Sequence, residues 1–186
     1  KPTASNFIAL LEATHLIYRL LPFGYGKEIL RARPKIYLAD AAIAPGILLK
    51  GKGLLEDAVR LGQAVETAFF KHVFTRYYQI SVSFSYWRGG KKGQEVDIIA
   101  DIGGRLVPFE VKYQGEKVDA GHLKGLGEFC RERKIQRGYV ITKDAADFGI
   151  LSLPGGAQAL KIPAPLACYW LGRSELESDD PYNLET

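Results

Sequence analysis

Methionine is absent from all 186 residues and the chain opens on Lys1, a pattern expected of a piece of a longer product. Cysteine is nearly as scarce. Cys130 and Cys168 stand too far apart in sequence for a zinc cluster, which leaves two buried or half-buried thiols rather than a disulfide. The three histidines, His15, His72 and His122, are scattered, so no histidine-based metal site is expected. No apolar run approaches the roughly 20 residues that cross a bilayer, and no signal peptide opens the chain. A cytoplasmic protein without a membrane partner is the expectation.

What is present is ordinary for a globular domain. Apolar residues make up 47% and charged residues 25%, and 186 residues suffice for one medium domain with a real core. Charge is unevenly spread. Ser174–Thr186 holds five acids (Glu175, Glu177, Asp179, Asp180, Glu185) and no Lys or Arg, so the rest carries 25 basic against 16 acidic residues, a surplus of +9 within the formal net +4. Such a surface is compatible with a phosphate-backbone partner.

Three segments are expected: a helix plus hairpin over residues 1–34, an α/β domain over 35–173, and an acidic tail over 174–186. In the first, Ala4–Thr14 places Phe7, Leu10 and Leu11 on one helical stripe. Leu16–Pro22 and Glu28–Arg33 read as strands joined through Gly24-Tyr25-Gly26. Helix and basic hairpin together resemble part of a winged helix. In the second, Lys35–Ala39 is a short strand, Leu54–Tyr78 a long helix, Gln79–Arg88 a first core strand, Asp119–Lys134 a second helix and Arg137–Lys143 a buried strand. Gly121, Gly125 and Gly127 weaken the second helix and point to close packing or room for a ligand. Leu160–Leu171, interrupted by Pro163 and Pro165, reads as an edge strand. The segment Gly46–Gly53 approaches the phosphate-loop pattern but has Gly53 where Ser or Thr would follow Lys52, so no nucleotide site is expected.

The most informative stretch is Glu95–Lys112, EVDIIADIGGRLVPFEVK. Gly103-Gly104 between two strand-like runs signals a two-residue hairpin. Ile102 then pairs with Arg105, and the register puts Ile98 opposite Phe109, Asp97 opposite Glu110 and Glu95 opposite Lys112. Two facing carboxylates about 5 Å apart are unfavourable unless a cation or a proton neutralises them.

Asp97 followed by Glu110-Val111-Lys112 resembles the PD-(D/E)xK nuclease superfamily, with Val96 where the motif's name has proline. That resemblance implies a restriction-endonuclease-like α/β core of helix, three-strand meander, helix and strand. It implies Mg²⁺ (or Mn²⁺) held by Asp97, Glu110, the Val111 carbonyl and Glu66 of the preceding helix, with Lys112 as the catalytic cation beside Asp97 and Glu110. DNA would run over Lys91, Lys92, Lys124 and Arg131. The set YLAD, GQAVET, Tyr86-Trp87-Arg88, Glu95-Val96-Asp97 and Phe109–Lys112 also resembles the uncharacterised C-terminal domain of bacterial and archaeal AAA-type ATPases, which implies an N-terminal ATPase module as partner.

A plain structural reading stands beside this one. Lys112 could pair with Glu95 across the strands, and Glu66 with Lys71 or Arg60 on its own helix. The domain would then be a non-catalytic nucleic-acid- or protein-binding module, or a subunit contact through an exposed Tyr86-Trp87 edge.

Overall fold

The computed structural model describes residues 3–24, 33–49, 51–80, 83–89 and 94–177, with side chains as far as Ser174. Among them run eight strands, β1 (Ile17–Pro22), β2 (Lys35–Leu38), β3 (Ser83–Arg88), β4 (Glu95–Ile102), β5 (Arg105–Lys112), β6 (Arg137–Thr142), β7 (Gly149–Ser152) and β8 (Gln158–Pro163). Five α-helices accompany them: α1 (Ala4–Ala13), α2 (Ile43–Ile47), α3 (Ala58–Tyr77), α4 (Lys124–Arg133) and α5 (Ala164–Glu177). The result is a mixed α/β fold with one sheet in the order β2-β1-β3-β4-β5-β6-β8-β7.

The hairpin register holds from Ile102↔Arg105 through Ala100↔Val107 to Ile98↔Phe109. Gly103 and Gly104 sit at φ +59° and +88°, the left-handed values such a turn requires. On its other edge β4 is irregular: Ser85 pairs with Ile99 but Trp87 pairs with Val96, so Asp97 and Ile98 together oppose Tyr86. This is a β-bulge, and it breaks the strict alternation of β4. Ile98, Ala100 and Ile102 join one core with Phe69, Phe70 and Val73 of α3 and Ala167 of α5. Val96 and Ile99 join a second core with Leu126, Phe129 and Cys130 of α4. Both faces of the meander are therefore covered.

Helix α3 starts where Asp57 accepts the Arg60 N–H at 3.1 Å, three residues later than its apolar pattern begins, because Gly51–Leu54 form a 3₁₀ turn. The second expected helix likewise divides into a 3₁₀ turn, Ala120–Leu123, closed by the Asp119–His122 capping box, and α4. The glycines of α4 serve close packing. A Cβ on Gly125 would lie 2.4 Å from both the N and the O of Glu95, so the helix rests backbone-to-backbone on the start of β4.

Other expectations need correction. Of the expected strand Glu28–Arg33, residues 28–32 lie outside the described residues, and the partner of β1 is β2, in a sheet that β1 continues by pairing with β3. Phe7, Leu10 and Leu11 stay exposed on α1, which has no buried residue. Tyr86 and Trp87 are buried, which removes the exposed aromatic edge expected of them. Leu160–Leu171 is not one edge strand: β8 ends at Pro163, lies inside β7, and hands over to α5. Pro165 sits in the first turn of that helix, where a missing N–H costs nothing.

Because the atoms facing Gly125 are backbone and cannot swing aside, Gly125→Ala is expected to destabilise the protein by about 3 kcal/mol, the upper range for overpacking. Gly53→Ala, where a Cβ meets nothing within 4 Å, should stay within about 0.5 kcal/mol. Urea midpoints of the two variants check this, and equal midpoints would refute the close contact.

Candidate functional site

The bulge decides where Asp97 points. It leaves the ladder one residue beyond Ile98↔Phe109, so it is not the face-to-face partner of Glu110 that a straight hairpin predicts. Its Oδ2 instead accepts the Val111 N–H at 2.9 Å, between Glu110 and Lys112 on the neighbouring strand. Its Oδ1 accepts from Lys35 Nζ at 2.7 Å. Asp97 thus ties two groups of charges together.

The first group faces α3. Lys35 Nζ lies 2.7 Å from Glu66 Oε1 and 3.4 Å from Glu95 Oε1, besides its contact with Asp97. Tyr37, two residues along the same face of β2, donates its hydroxyl to Glu66 at 2.6 Å and stacks on Phe70 at 4.5 Å. Burial raises the pKa of Glu66, and Asp97 adds to that, while Lys35 and Tyr37 oppose it. Burial draws the Lys35 ammonium down, yet Asp97 and Glu66 outweigh it and hold the group well above the usual lysine range.

The second group lies on β5. Phe109 and Val111 pack with the α3-side core, so alternation turns Glu110 and Lys112 together to the opposite face. Lys112 Nζ sits 2.5 Å from Glu110 Oε1. Glu110 is 4% exposed and its Oε2 has no hydrogen-bond partner. Burial, then the nearby charge of Asp97, pushes its pKa up to about 8 against the pull of Lys112.

That orphan oxygen is unusual for this molecule. Among the described residues it shares the condition only with Gln114 Nε2, just past the end of β5. A more deeply buried ion pair, Asp147 with Lys161, leaves no such orphan oxygen, Asp147 also accepting the Val118 N–H and Lys161 donating to the Val118 carbonyl.

Of the residues singled out in the sequence, Asp97, Val111, Glu110 and Lys112 come together on β4 and β5, and Glu66 is linked to them through Lys35, which it shares with Asp97. Glu66 turns to Lys35 and Tyr37, whereas Lys71 pairs with Asp40 and Arg60 with Asp57. Glu95 binds Arg88 and Lys35, with Lys112 committed to Glu110. Lys124 is exposed at the start of α4, one residue from the contact with Glu95. Arg131 lies seven residues further along the same helix, nearly two turns on, its side chain 3.3 Å from where a Cβ of Gly155 would be. Lys91 and Lys92 lie outside the described residues. Sequence reasoning missed Lys35 and Tyr37, because KIYLA reads as a plain short strand; the only trace was their spacing of two.

Asp97 and Glu110 fit a divalent cation as donors, since a carboxylate oxygen with one hydrogen bond keeps a further lone pair and Glu110 Oε2 uses none. Glu66 does not fit in the present arrangement, its Oε1 being taken by Lys35 and Tyr37. Among the described residues no three His, Cys, Asp or Glu side chains are grouped to hold a metal.

Fold and site thus define a mixed α/β domain that buries carboxylates of two neighbouring strands against two ammonium groups. The chain belongs to the domain family of unknown function DUF4143, which matches residues 61–164, more than half its length, and is often found with AAA ATPases. A second domain family of unknown function, DUF8612, matches residues 1–52. No curated protein and no solved structure matches the chain. No described helix is long and apolar enough to cross a membrane.

The raised pKa of Glu110 has a definite sign in stability. Below about pH 4.5 the group is protonated in folded and unfolded chains alike; from there to about 8 only the folded chain keeps the proton. Stability contributed by that proton is present at low pH and is lost as the pH rises through the window. Glu110→Gln should therefore match wild type near pH 5 and exceed it at pH 8.5 by more than about 1.4 kcal/mol, the worth of one pKa unit. Urea melts in metal-free buffer at both pH values test this, and parallel profiles would refute it.

Proposed function

We propose that this is a divalent-metal-dependent phosphodiesterase domain of restriction-endonuclease-like fold, acting on DNA under the control of an ATPase module. The observation that carries the reading is Glu110: a buried carboxylate with one oxygen on Lys112 and the other without a partner, beside a second buried carboxylate, Asp97. A fold does not keep an ionisable oxygen in that condition cheaply, and a bound cation or the proton of a reacting water relieves it. The order of elements around it, α3, the β3–β5 meander, α4 and β6, supports the reading, since the resemblance of the Asp97 and Glu110-Val111-Lys112 motif implies a helix, a three-strand meander, a helix and a strand.

Hydrolysis adds water across a phosphodiester: a water oxygen bonds to phosphorus, the bond to the leaving sugar oxygen breaks, and that oxygen collects a proton. Asp97 and Glu110 would hold Mg²⁺ or Mn²⁺, with the Val111 carbonyl as a further donor. Such an ion, when bound, makes water nucleophilic near neutral pH and offsets charge on the phosphate. Lys112 holds a positive charge at the site mouth, where charge builds on the non-bridging phosphate oxygens. The Val111 N–H fixes the direction of the Asp97 carboxylate. The exposed Lys124 at the neighbouring end of α4 offers a phosphate contact, and Lys91 and Lys92 extend that expectation along the chain.

A specific observation favours a second reading, a non-catalytic binding or regulatory module. Lys35 already balances Glu66, Glu95 and Asp97 without a metal.

One experiment separates the two. Single-stranded, duplex and branched DNA are incubated with the protein and Mg²⁺ or Mn²⁺, and Mn²⁺ uptake is followed by calorimetry. Metal-dependent cleavage that falls about 100-fold or more in Asp97→Ala and Lys112→Ala is the expected result. No cleavage of any substrate, with Mn²⁺ uptake untouched by Asp97→Ala, leaves the binding module.

A further inference from the structure

Resting on the metal-site reading above, we propose that Lys35 is a built-in competitor for the divalent cation: its ammonium occupies the α3-side half of the site, and the cation binds fully only when Lys35 leaves. The fit is that of a ligand. An ammonium has three donors, and three carboxylates surround this one, at 2.7 Å (Asp97), 2.7 Å (Glu66) and 3.4 Å (Glu95). As they stand these three carboxylates are not grouped to hold a metal, but they are hard oxygen donors, and with the ammonium gone they are free to close in to the roughly 2.0–2.6 Å that such cations take. The remaining charge at this half, Arg88, is held on the outer side of Glu95 at 3.1 Å. With Lys35 gone, Glu66 Oε1 keeps only the Tyr37 hydroxyl and regains a lone pair for the cation.

The position of Lys35 in the chain makes the competition adjustable. It stands at the start of β2, which among the described residues is the outermost strand on its side of the sheet and pairs only with β1. Among the described residues β1 in turn meets β3 through two residue pairs, Leu21↔Ser85 and Pro22↔Tyr86. Lys35 also belongs to the segment matched by DUF8612, whereas Glu66, Asp97, Glu110 and Lys112 belong to the segment matched by DUF4143. The site is therefore composite, and a partner that unseats β2 raises cation affinity, just as cation binding loosens the seat of β2 by the same factor.

The test uses Mn²⁺ alone, read by calorimetry and by the loss of its free-ion electron paramagnetic resonance signal. Lys35→Met is expected to tighten Mn²⁺ binding about tenfold or more, the effect of deleting one close positive charge, while Lys35→Arg stays near wild type. Adding Asp97→Asn to Lys35→Met should abolish the gain. In wild type, saturating Mn²⁺ should make the Lys35 amine react faster with an acetylating reagent, read by mass spectrometry.

Should Lys35→Met fold poorly because Glu66 and Asp97 lose their counter-charge, rescue of its thermal midpoint by Mn²⁺ supports the proposal. If Mn²⁺ does not rescue it, Lys35→Met/Glu66→Gln, which removes one charge of each sign, replaces it and must still bind Mn²⁺ more tightly than wild type. Equal, Asp97-dependent Mn²⁺ affinity in wild type and Lys35→Met overturns the competition while leaving the metal site standing. No Mn²⁺ binding in any folded variant overturns both.

Discussion

Two carboxylates on adjacent strands, Asp97 and Glu110, lie out of water within reach of each other's charge, and the structure around them is arranged to make that tolerable. Taking a carboxylate out of water costs several kcal/mol unless a partner replaces the lost hydration. Each acid has its own ammonium: Lys35 comes from the N-terminal hairpin to Asp97, and Lys112 from the same strand to Glu110. The compensation is unequal. Asp97 has both oxygens hydrogen-bonded, whereas Glu110 has one oxygen left over. This inequality gives the site its chemical direction, because the unsatisfied side is the one that gains most from a newly arriving positive charge.

A single inserted residue produces the arrangement. Were β4 straight, Asp97 would stand directly across from Glu110 and like charges would face each other along the ladder. With Asp97 and Ile98 both set against Tyr86, the Asp97 carboxylate moves to the end of the ladder, toward Lys35 and Glu66, while still accepting the Val111 N–H. The same bulge lets Val96 and Ile98 serve different cores, so the strand carrying the site is anchored from both sides, by α3 and by α4. The bare Cα of Gly125 is what allows α4 to come down onto Glu95.

Much of this could be read from local pattern. The turn at Gly103-Gly104 set the pairing of Ile98 through Ile102 with Arg105 through Phe109, because side-chain alternation and a two-residue loop leave one register. Helix α3 followed from its three- and four-residue apolar spacing, while Glu66 was marked on it only by the resemblance to the nuclease superfamily. The bulge was not legible, since VDII offers no glycine or proline to mark it and the irregularity depends on how β3 and β5 pull on β4 from either side. Nor was the exposure of Phe7, Leu10 and Leu11: their spacing describes a stripe without saying what meets it. Pro163 and Pro165 were weighed as interruptions of a strand, whereas one closes β8 and the other sits where a helix accepts proline.

The amino-acid sequence by itself determined the α/β character of the chain, the hairpin with its turn, and which acids and lysine lie within two strands of each other. Those are consequences of periodicity and covalent neighbourhood, which act over a few residues. Tertiary structure alone decided that Lys35, 62 positions before Asp97, supplies the counter-charge, that Tyr37 holds Glu66, and that one Glu110 oxygen is sealed off without a partner. Charge compensation in a buried site is settled by whatever packing brings near, and no pattern along the chain records that distance.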